Sequence, residues 1–409
     1  MVEAPKPQHR VSLHEIGRVF AKVGAVGFGG GVGMLALLRN EVVERRRWVD
    51  DSQLGVAVAM GQMLPGPFVS NYAEYIGYEL RGWRGMLIAV VALLAPSFIL
   101  MVVLSALYFR FGSVPVVARM FSGVQPVIVG ILAWATWSIG RANIKGWRGV
   151  LIGAVAAVAL FLKFDVLLVV VGCGILGMVL GGGRGPKSEA RSSNDESNPK
   201  SENPGARSQP PIVLLSMGPV LTLVLVAAAG PSALQRAWEL AYVFLKVGTV
   251  IFGGGFAAIP FLQHEVVDVR HWLSMREFID GVALGQVTPG PVAITAAFIG
   301  YKVLGLGGAL IAALGTFVPS GLMLWGLIHV YRRISSNVFV RGFLSGVMPA
   351  VTGMLLSSTV FIGQSAVTGP AQAITAPLAL ALLLRYRLDP VWLVLGGALL
   401  GLVVSQSMI

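Results

Sequence analysis

The chain has 409 residues and a formal net charge of +12, yet only 12% of its residues are charged, 55% are hydrophobic and the mean hydropathy is +0.77. A soluble globular chain carries roughly 25% charged residues, so most of this one belongs in lipid. Its positive balance suits lipid headgroups, and no nucleic-acid partner is expected. The one cysteine, Cys173, lies in an apolar run; it excludes an internal disulfide or a cysteine metal cluster and reads as packing.

In chain order, residues 1–10 hold Pro5, Pro7, His9 and charges, with no secretory signal pattern. Phe20-Ala21-Lys22-Val23-Gly24 then runs into Phe28 and Gly29-Gly30-Gly31, and Gly61-Gln62 runs into Pro65-Gly66-Pro67. These motifs interrupt the apolar segments 20–38 and 54–80, because proline removes a donor and clashes with the preceding turn. An arm of about ten residues rises ~15 Å, half of a ~30 Å hydrocarbon core. Each pair of arms is therefore read as a re-entrant hairpin, which keeps Arg45-Arg46-Arg47 inside; full crossings fit the other loops equally well. Longer apolar runs follow at 85–109, 115–139, 149–162 and 166–180.

Residues 181–211 are rich in Gly, Pro, Ser, Asn and mixed charge and read as a disordered cytoplasmic linker. The apolar run at 212–230 has no partner earlier in the chain. Beyond it lie runs at 306–330, 339–362, 371–384 and 390–404.

The motifs return. Phe244-Leu245-Lys246-Val247-Gly248 runs into Phe252 and Gly253-Gly254-Gly255, and Gly285-Gln286 runs into Pro289-Gly290-Pro291. The offset is 244 − 20 = 224 residues, then 223 once one residue is lost, as in Pro319-Ser320 against Pro96-Ser97. The chain is thus two homologous units, 1–180 and 231–409. Loops rich in Lys and Arg stay cytoplasmic. In the first unit these are 39–47, 81–84 and 141–148. In the second they shift to Arg332-Arg333 and to Arg385 with Arg387, whose first-unit equivalents near Arg110 and Lys163 carry few charges. The bias swaps sides, so the repeats are expected to be inverted, with the unpaired span turning the second one over. The expected fold class is an all-α polytopic membrane protein of two inverted repeats with broken, re-entrant helices.

Broken backbone at membrane depth is tolerated only against protein or a watery cavity, and helix N-termini there favour anions. The segments after Pro67 and Pro291, including Ser70, Asn71 and Thr295, are placed to present N–H groups from the first turn of each arm. The glycines let main chain approach a ligand, although close helix packing is the other reading of such glycines. Lys22 and Lys246 match and would supply the charge that a dianion needs; snorkelling to an interface is the alternative. Gln62 and Gln286 suit either a ligand or a helix–helix bond. Glu41 and Glu265 also match, with Arg39 facing Gln263; they are coupling carboxylates or simply partners for nearby arginines. Glu74 has no counterpart. Trp48 and Trp272 read as interface anchors. No metal site, nucleotide loop or Ser/His/Asp constellation is present in the sequence, so no cofactor and no enzyme activity are expected.

The doubled Phe-x-Lys-Val-Gly, Phe-Gly-Gly-Gly and Gly-Gln-x-x-Pro-Gly-Pro pattern over nearly the whole chain resembles the long-chain chromate transporter family. The resemblance implies a bacterial inner-membrane protein that exports chromate from the cytoplasm and confers resistance, with antiparallel halves driven by the proton-motive force. Sulfate has the same shape and charge and is the expected competitor. A transporter of sulfate or another oxyanion, or a passive anion channel, would share these features, and a homodimer is compatible with them. The N-terminus is expected inside and the C-terminus outside.

Overall fold

The computed structural model describes residues 11–28, 30–181, 231–335, 337–386 and 388–404. Of the linker expected over 181–211, Gly181 ends a helix and 182–211 lie outside the described residues, as do the unpaired span at 212–230 and Gly29. Among the described residues every regular element is helical. Four stretches are long and apolar enough to cross a membrane: Phe68–Phe111, Pro115–Asn143, Val292–Tyr331 and Val338–Ala366. The chain is an all-α, multi-pass membrane protein built of two repeats.

Each repeat begins with broken helices. In the first, α1 (Leu13–Val26) is capped by Ser12, whose hydroxyl accepts from the Glu15 N–H at 3.1 Å, and it stops at Gly27. α2 (Gly30–Arg39) resumes and widens into a π-helical turn at Asn40–Arg45. α3 (Asp51–Met63) opens on a reciprocal Asp50–Gln53 capping box and ends at Leu64, held extended at φ −92°, ψ 148° ahead of Pro65. α4 (Phe68–Phe111) follows, then α5 (Pro115–Asn143), α6 (Gly146–Phe161) and α7 (Val166–Gly181). The second repeat has α8 (Pro231–Val250), α9 (Ala258–Gln263) with a π turn at His264–Val269, and α10 (Met275–Val287). It continues through α11 (Thr295–Ser335), α12 (Val338–Ala366), α13 (Pro370–Tyr386) and α14 (Pro390–Val404). Pro67 and Pro291 stand at the cap position, with ψ of 100° and 133°, one step ahead of the first turn expected for them.

α4 and α11 are each two arms. Gly82 (φ 61°) and Gly305 (φ 57°) reverse the chain, bringing Gly77 against Gly85 and Ala89, and Gly300 against Gly308 and Ala312. Residues eight apart on one straight helix would be separated by ~12 Å. α1 and α2 likewise return on one side, because Arg46 Nη1 reaches Glu15 Oε1 at 2.9 Å and Arg81 donates to the Val11 carbonyl at 3.3 Å. The arginine-rich turns therefore lie beside the start of α1. The long arm of α4 runs parallel to α1, with Gly17 at Ile88 and Gly24 against the Leu93 backbone.

The halves are interlocked. α6 and α7 pack on α12 of the other repeat, and α13 and α14 pack on α5. Small residues make these approaches close. Gly346 meets the Cys173 and Gly177 backbone and Gly353 that of Gly153; equivalently, Gly123 meets Gly397 and Gly401, and Gly130 meets Ala376. Cys173 is buried there as packing. A leucine at Gly353 must push α6 off α12, and overpacking of this kind costs about 1–3 kcal/mol. Gly353→Leu is expected to lower the thermal unfolding temperature of the purified protein. Gly326→Leu, at a position where an added Cβ meets nothing, should leave it unchanged.

Thr136 and Thr359, equivalent at the 223-residue offset, touch each other at 3.4 Å between hydroxyls. On one side of that contact Gly140 meets Thr352, and on the other Gly363 meets Val129. Numbers rise along α5 as they fall along α12, so these equivalent helices run antiparallel about a local two-fold axis.

Candidate functional site

Two reciprocal main-chain bonds mark the crossing of the broken segments. The Gly66 N–H donates to the Ile251 carbonyl at 2.5 Å, and the Gly290 N–H donates to the Gly27 carbonyl at 2.8 Å. Donors and acceptors are both equivalent pairs at the 224-residue offset. Each Pro-Gly-Pro turn is thus held by the glycine break of the opposite repeat. Gly66 (φ 116°) and Gly290 (φ 111°) adopt a conformation that side chains rarely reach, and a Cβ would overlap Ser320 at the first and Ser97 at the second. Phe68 fills the space that Gly31 and Gly254 leave open, and Val292 lies against Gly255. The glycine breaks and the Pro65-Gly66-Pro67 and Pro289-Gly290-Pro291 turns therefore meet in one place; Gly30 starts α2 beside them, and Gly253 is left-handed at φ 94°.

Polar side chains around the crossing divide into two groups. Ser70 and Thr295 donate to the carbonyls of Pro67 and Val292, at 2.6 and 2.8 Å, and close their own first turns. Asn71, Glu74 and Ser97 are buried, and Asn71 Oδ1 and Nδ2, Glu74 Oε2 and Ser97 Oγ have no hydrogen-bond partner, nor does Gln286 Nε2. The Glu74 carboxyl lies against Gly321, next to Ser320. Gln62 is exposed where Gln286 is buried, so the matched glutamines occupy different surroundings.

The matched lysines are engaged elsewhere. Lys22 Nζ bonds Glu41 at 2.7 Å, and Arg45 and Arg46 approach the same carboxylate at 3.2 and 3.7 Å. Lys246 Nζ bonds Glu265 at 2.7 Å and Asp165 at 2.8 Å, with Arg270 at 3.6 Å from Glu265. No ion pair or hydrogen bond among the described residues joins either lysine to the Pro-Gly-Pro turns. Burial pushes the Asp165 carboxyl up, but the Lys246 ammonium and the N–H groups of Leu168 and Leu167 outweigh it and hold it below the usual range. Arg39 grips Asp51 at 2.8 and 3.1 Å and also pairs with Glu44. Arg46 stacks over Trp48 and Arg270 over Trp272, at 5.2 and 5.4 Å from the ring centroids.

One buried acid escaped the sequence reading. Asp280, 3% exposed, accepts from Tyr108 Oη at 2.7 Å and Gln125 Nε2 at 2.8 Å, tying α10 to α4 and α5 of the other repeat. Its equivalent is Val56, so the repeat gives no pointer to it. The available signal is a single acid within Phe278-Ile279-Asp280-Gly281-Val282. Among the described residues no group of His, Cys, Asp and Glu could hold a metal ion.

A helical membrane protein whose halves cross broken segments around buried polar groups has the build of a transport protein. The chain belongs to the chromate transporter family, which it matches over residues 14–178 and 238–402, once per repeat. It is 29% identical over 401 residues to the chromate transport protein of Cupriavidus metallidurans, covering 96% of this chain and 93% of that protein. It is 28% identical over 398 residues to the chromate transport protein of Pseudomonas aeruginosa, covering 95% and 91%. The uncharacterized transporter YwrA of Bacillus subtilis is 40% identical over 124 residues, which are 70% of that protein and 30% of this chain, so a unit of repeat size exists there by itself. No solved structure matches the chain.

Proposed function

We propose that the protein is a secondary transporter that exports chromate from the cytoplasm, lowering internal Cr(VI), by rocking two inverted repeats around an oxyanion held at their crossing. The observation that carries this reading is the reciprocal pair of bonds from Gly66 to Ile251 and from Gly290 to Gly27. Four interrupted segments converge there on unpartnered Asn71, Glu74 and Ser97. The anion would be bound by main-chain N–H groups after Pro67 and Pro291 and by side-chain donors, with Lys22 and Lys246 shaping the field on either side.

Inversion is supported by α5 and α12. A two-fold axis along the membrane normal would keep equivalent spans parallel, whereas antiparallel equivalents call for an axis in the membrane plane. The units are 1–180 and 231–409, with 181–211 as cytoplasmic linker and 212–230 as the span that turns the second over. The N-terminus is cytoplasmic, on the side where Arg46 and Arg81 reach Glu15 and Val11, and the C-terminus is periplasmic, in the bacterial inner membrane. A negative-inside potential favours anion export by ~2.3 kcal/mol per charge per 100 mV.

Everted vesicles carrying the protein should accumulate labelled chromate when energised, with sulfate competing. Conductance without saturation would instead identify a passive channel. A Lys22→Met, Lys246→Met double variant is expected to lose uptake. Uptake equal to that of the unaltered protein would take the lysines out of the anion's path and leave them as partners of Glu41 and Glu265.

A further inference from the structure

A cavity of about 140 Å³ lies at the exit of the second broken hairpin. That is the room of four or five liquid waters at ~30 Å³ each, a scale that also suits a small tetrahedral anion. Its polar lining is Lys163, Gln263, His264, Asp268, Ser358, Gln364 and Ser365. Gln263 is 3% exposed and Ser358 fully buried, yet Gln263 Oε1 and Ser358 Oγ have no hydrogen-bond partner. Buried polar atoms are normally paired. Lys163 is fixed at the rim by its left-handed backbone (φ 61°) and by its N–H bond to the Leu160 carbonyl at 3.0 Å.

The other repeat shows what this place holds when it is only structural. Gln263, Asp268 and Met275 are equivalent to Arg39, Glu44 and Asp51 at the 224-residue offset. In the first repeat that triad satisfies itself, because Arg39 bonds both Asp51 and Glu44. Across the cavity, Ser358 and Gln364 replace Ala135 and Arg141 at the 223-residue offset. The second repeat has thus exchanged a closed ion cluster for open space lined by an ammonium, an imidazole, two hydroxyls and two amides, with one carboxylate. Such a set favours an acceptor-only ligand approached from several directions, once the Gln263 amide, whose oxygen is the atom left open here, turns its NH2 group inward and Ser358 donates its hydroxyl. A divalent cation would need more than one acid, and an apolar ligand would leave every donor unpaired.

The cavity's place in the chain gives it a role. Arg148 bonds the Leu180 carbonyl, so α6 and α7 form a hairpin whose turn at 162–165 lies at the end opposite that bond. Lys163 sits in that turn beside Asp165, which shares Lys246 with Glu265 at the exit of the second hairpin; in the inverted arrangement proposed above, that exit faces away from Arg46 and Arg81. Resting on the transporter reading above, we infer that this cavity is a second oxyanion-binding site, a station on the face where substrate is released.

The test is equilibrium dialysis of the purified full chain in nanodiscs with chromate, and with sulfate as a second probe. Gln263→Arg combined with Met275→Asp rebuilds the first repeat's triad and is expected to remove one bound anion per chain. Lys163→Gln should weaken that site about tenfold. Ser358→Ala should weaken it several-fold without lowering the thermal unfolding temperature, and these two single variants carry the test if the double variant misfolds. Unchanged stoichiometry and affinity in well-folded variants would overturn the site, whatever transport does. Loss of one anion in the double variant supports the site even if the unaltered protein moves no chromate in vesicles, a result that would defeat the transport reading alone.

Discussion

Gly290→Ala and Gly66→Ala are each expected to cut chromate transport by at least about a hundredfold while the protein still inserts. Two effects combine at each position. A side chain at φ 111° or 116° costs about 1–3 kcal/mol in backbone strain, and its Cβ would overlap Ser97 or Ser320 of the opposite repeat. Relief requires the turn to withdraw, which breaks the bond to Gly27 or Ile251. That bond contributes about 0.5–1.5 kcal/mol when both groups have alternative partners, and more where an orphaned carbonyl stays buried. In the proposed rocking mechanism the same pair of turns re-forms in every cycle, so even a modest displacement would misplace the proposed site. Gly82→Ala separates strain from contact, because Gly82 is also left-handed at φ 61° but an added Cβ there meets nothing. It should slow transport only a few-fold. Pairing Gly290→Ala with Ser97→Gly removes the overlapped hydroxyl and should recover part of the loss. Equal rates for Gly290→Ala and Gly82→Ala in vesicles would show that the crossing is not where transport is decided.

The duplicated motifs made the helix breaks legible from sequence because proline and glycine act locally: Pro65 and Pro289 end α3 and α10 whatever surrounds them. Charge favours a re-entrant course for the first arms, since Arg45 to Arg47 are costly to carry across lipid, and the Arg46–Glu15 bond places Arg46 beside the start of α1. What local rules do not carry is which repeat a helix packs on. Nothing in 146–181 announces that α6 and α7 dock on α12, because glycines at 153, 177, 346 and 353 advertise close approach without naming the partner. The same limit applies to Lys22 and Lys246. Their apolar surroundings and matched positions are visible in sequence, but the short reach to Glu41 and Glu265 depends on the hairpin folding back. Asp280 was hidden for the opposite reason, because its partners Tyr108 and Gln125 come from the other repeat.

Glu74→Gln is expected to separate stability from transport. The Glu74 side chain is 2% exposed at the centre of the protein, no lysine or arginine pairs with it among the described residues, and its Oε2 has no hydrogen-bond partner. A buried polar atom left unpaired costs about 1–3 kcal/mol, and ionisable groups inside a membrane protein are expensive wherever they sit. In this conformation, then, the carboxyl works against the fold. A role in transport would then come from another state of the proposed cycle, one in which the opposite repeat shifts and Gly321, now against the carboxyl, gives way to an ion or a donor. Glu74→Gln keeps the shape and removes the ionisable carboxyl, so thermal unfolding of the purified protein should stay level or rise slightly while uptake into everted vesicles falls at least tenfold. Glu74→Leu should show the same split, since an apolar group of similar size is often neutral or stabilising in place of an unpaired polar one. Gly321→Ala would crowd the carboxyl and should lower stability in the unaltered protein but not beside Glu74→Ala. If Glu74→Gln lowered stability and transport together, the carboxyl would be holding the fold; if it changed neither, the crossing would function without it.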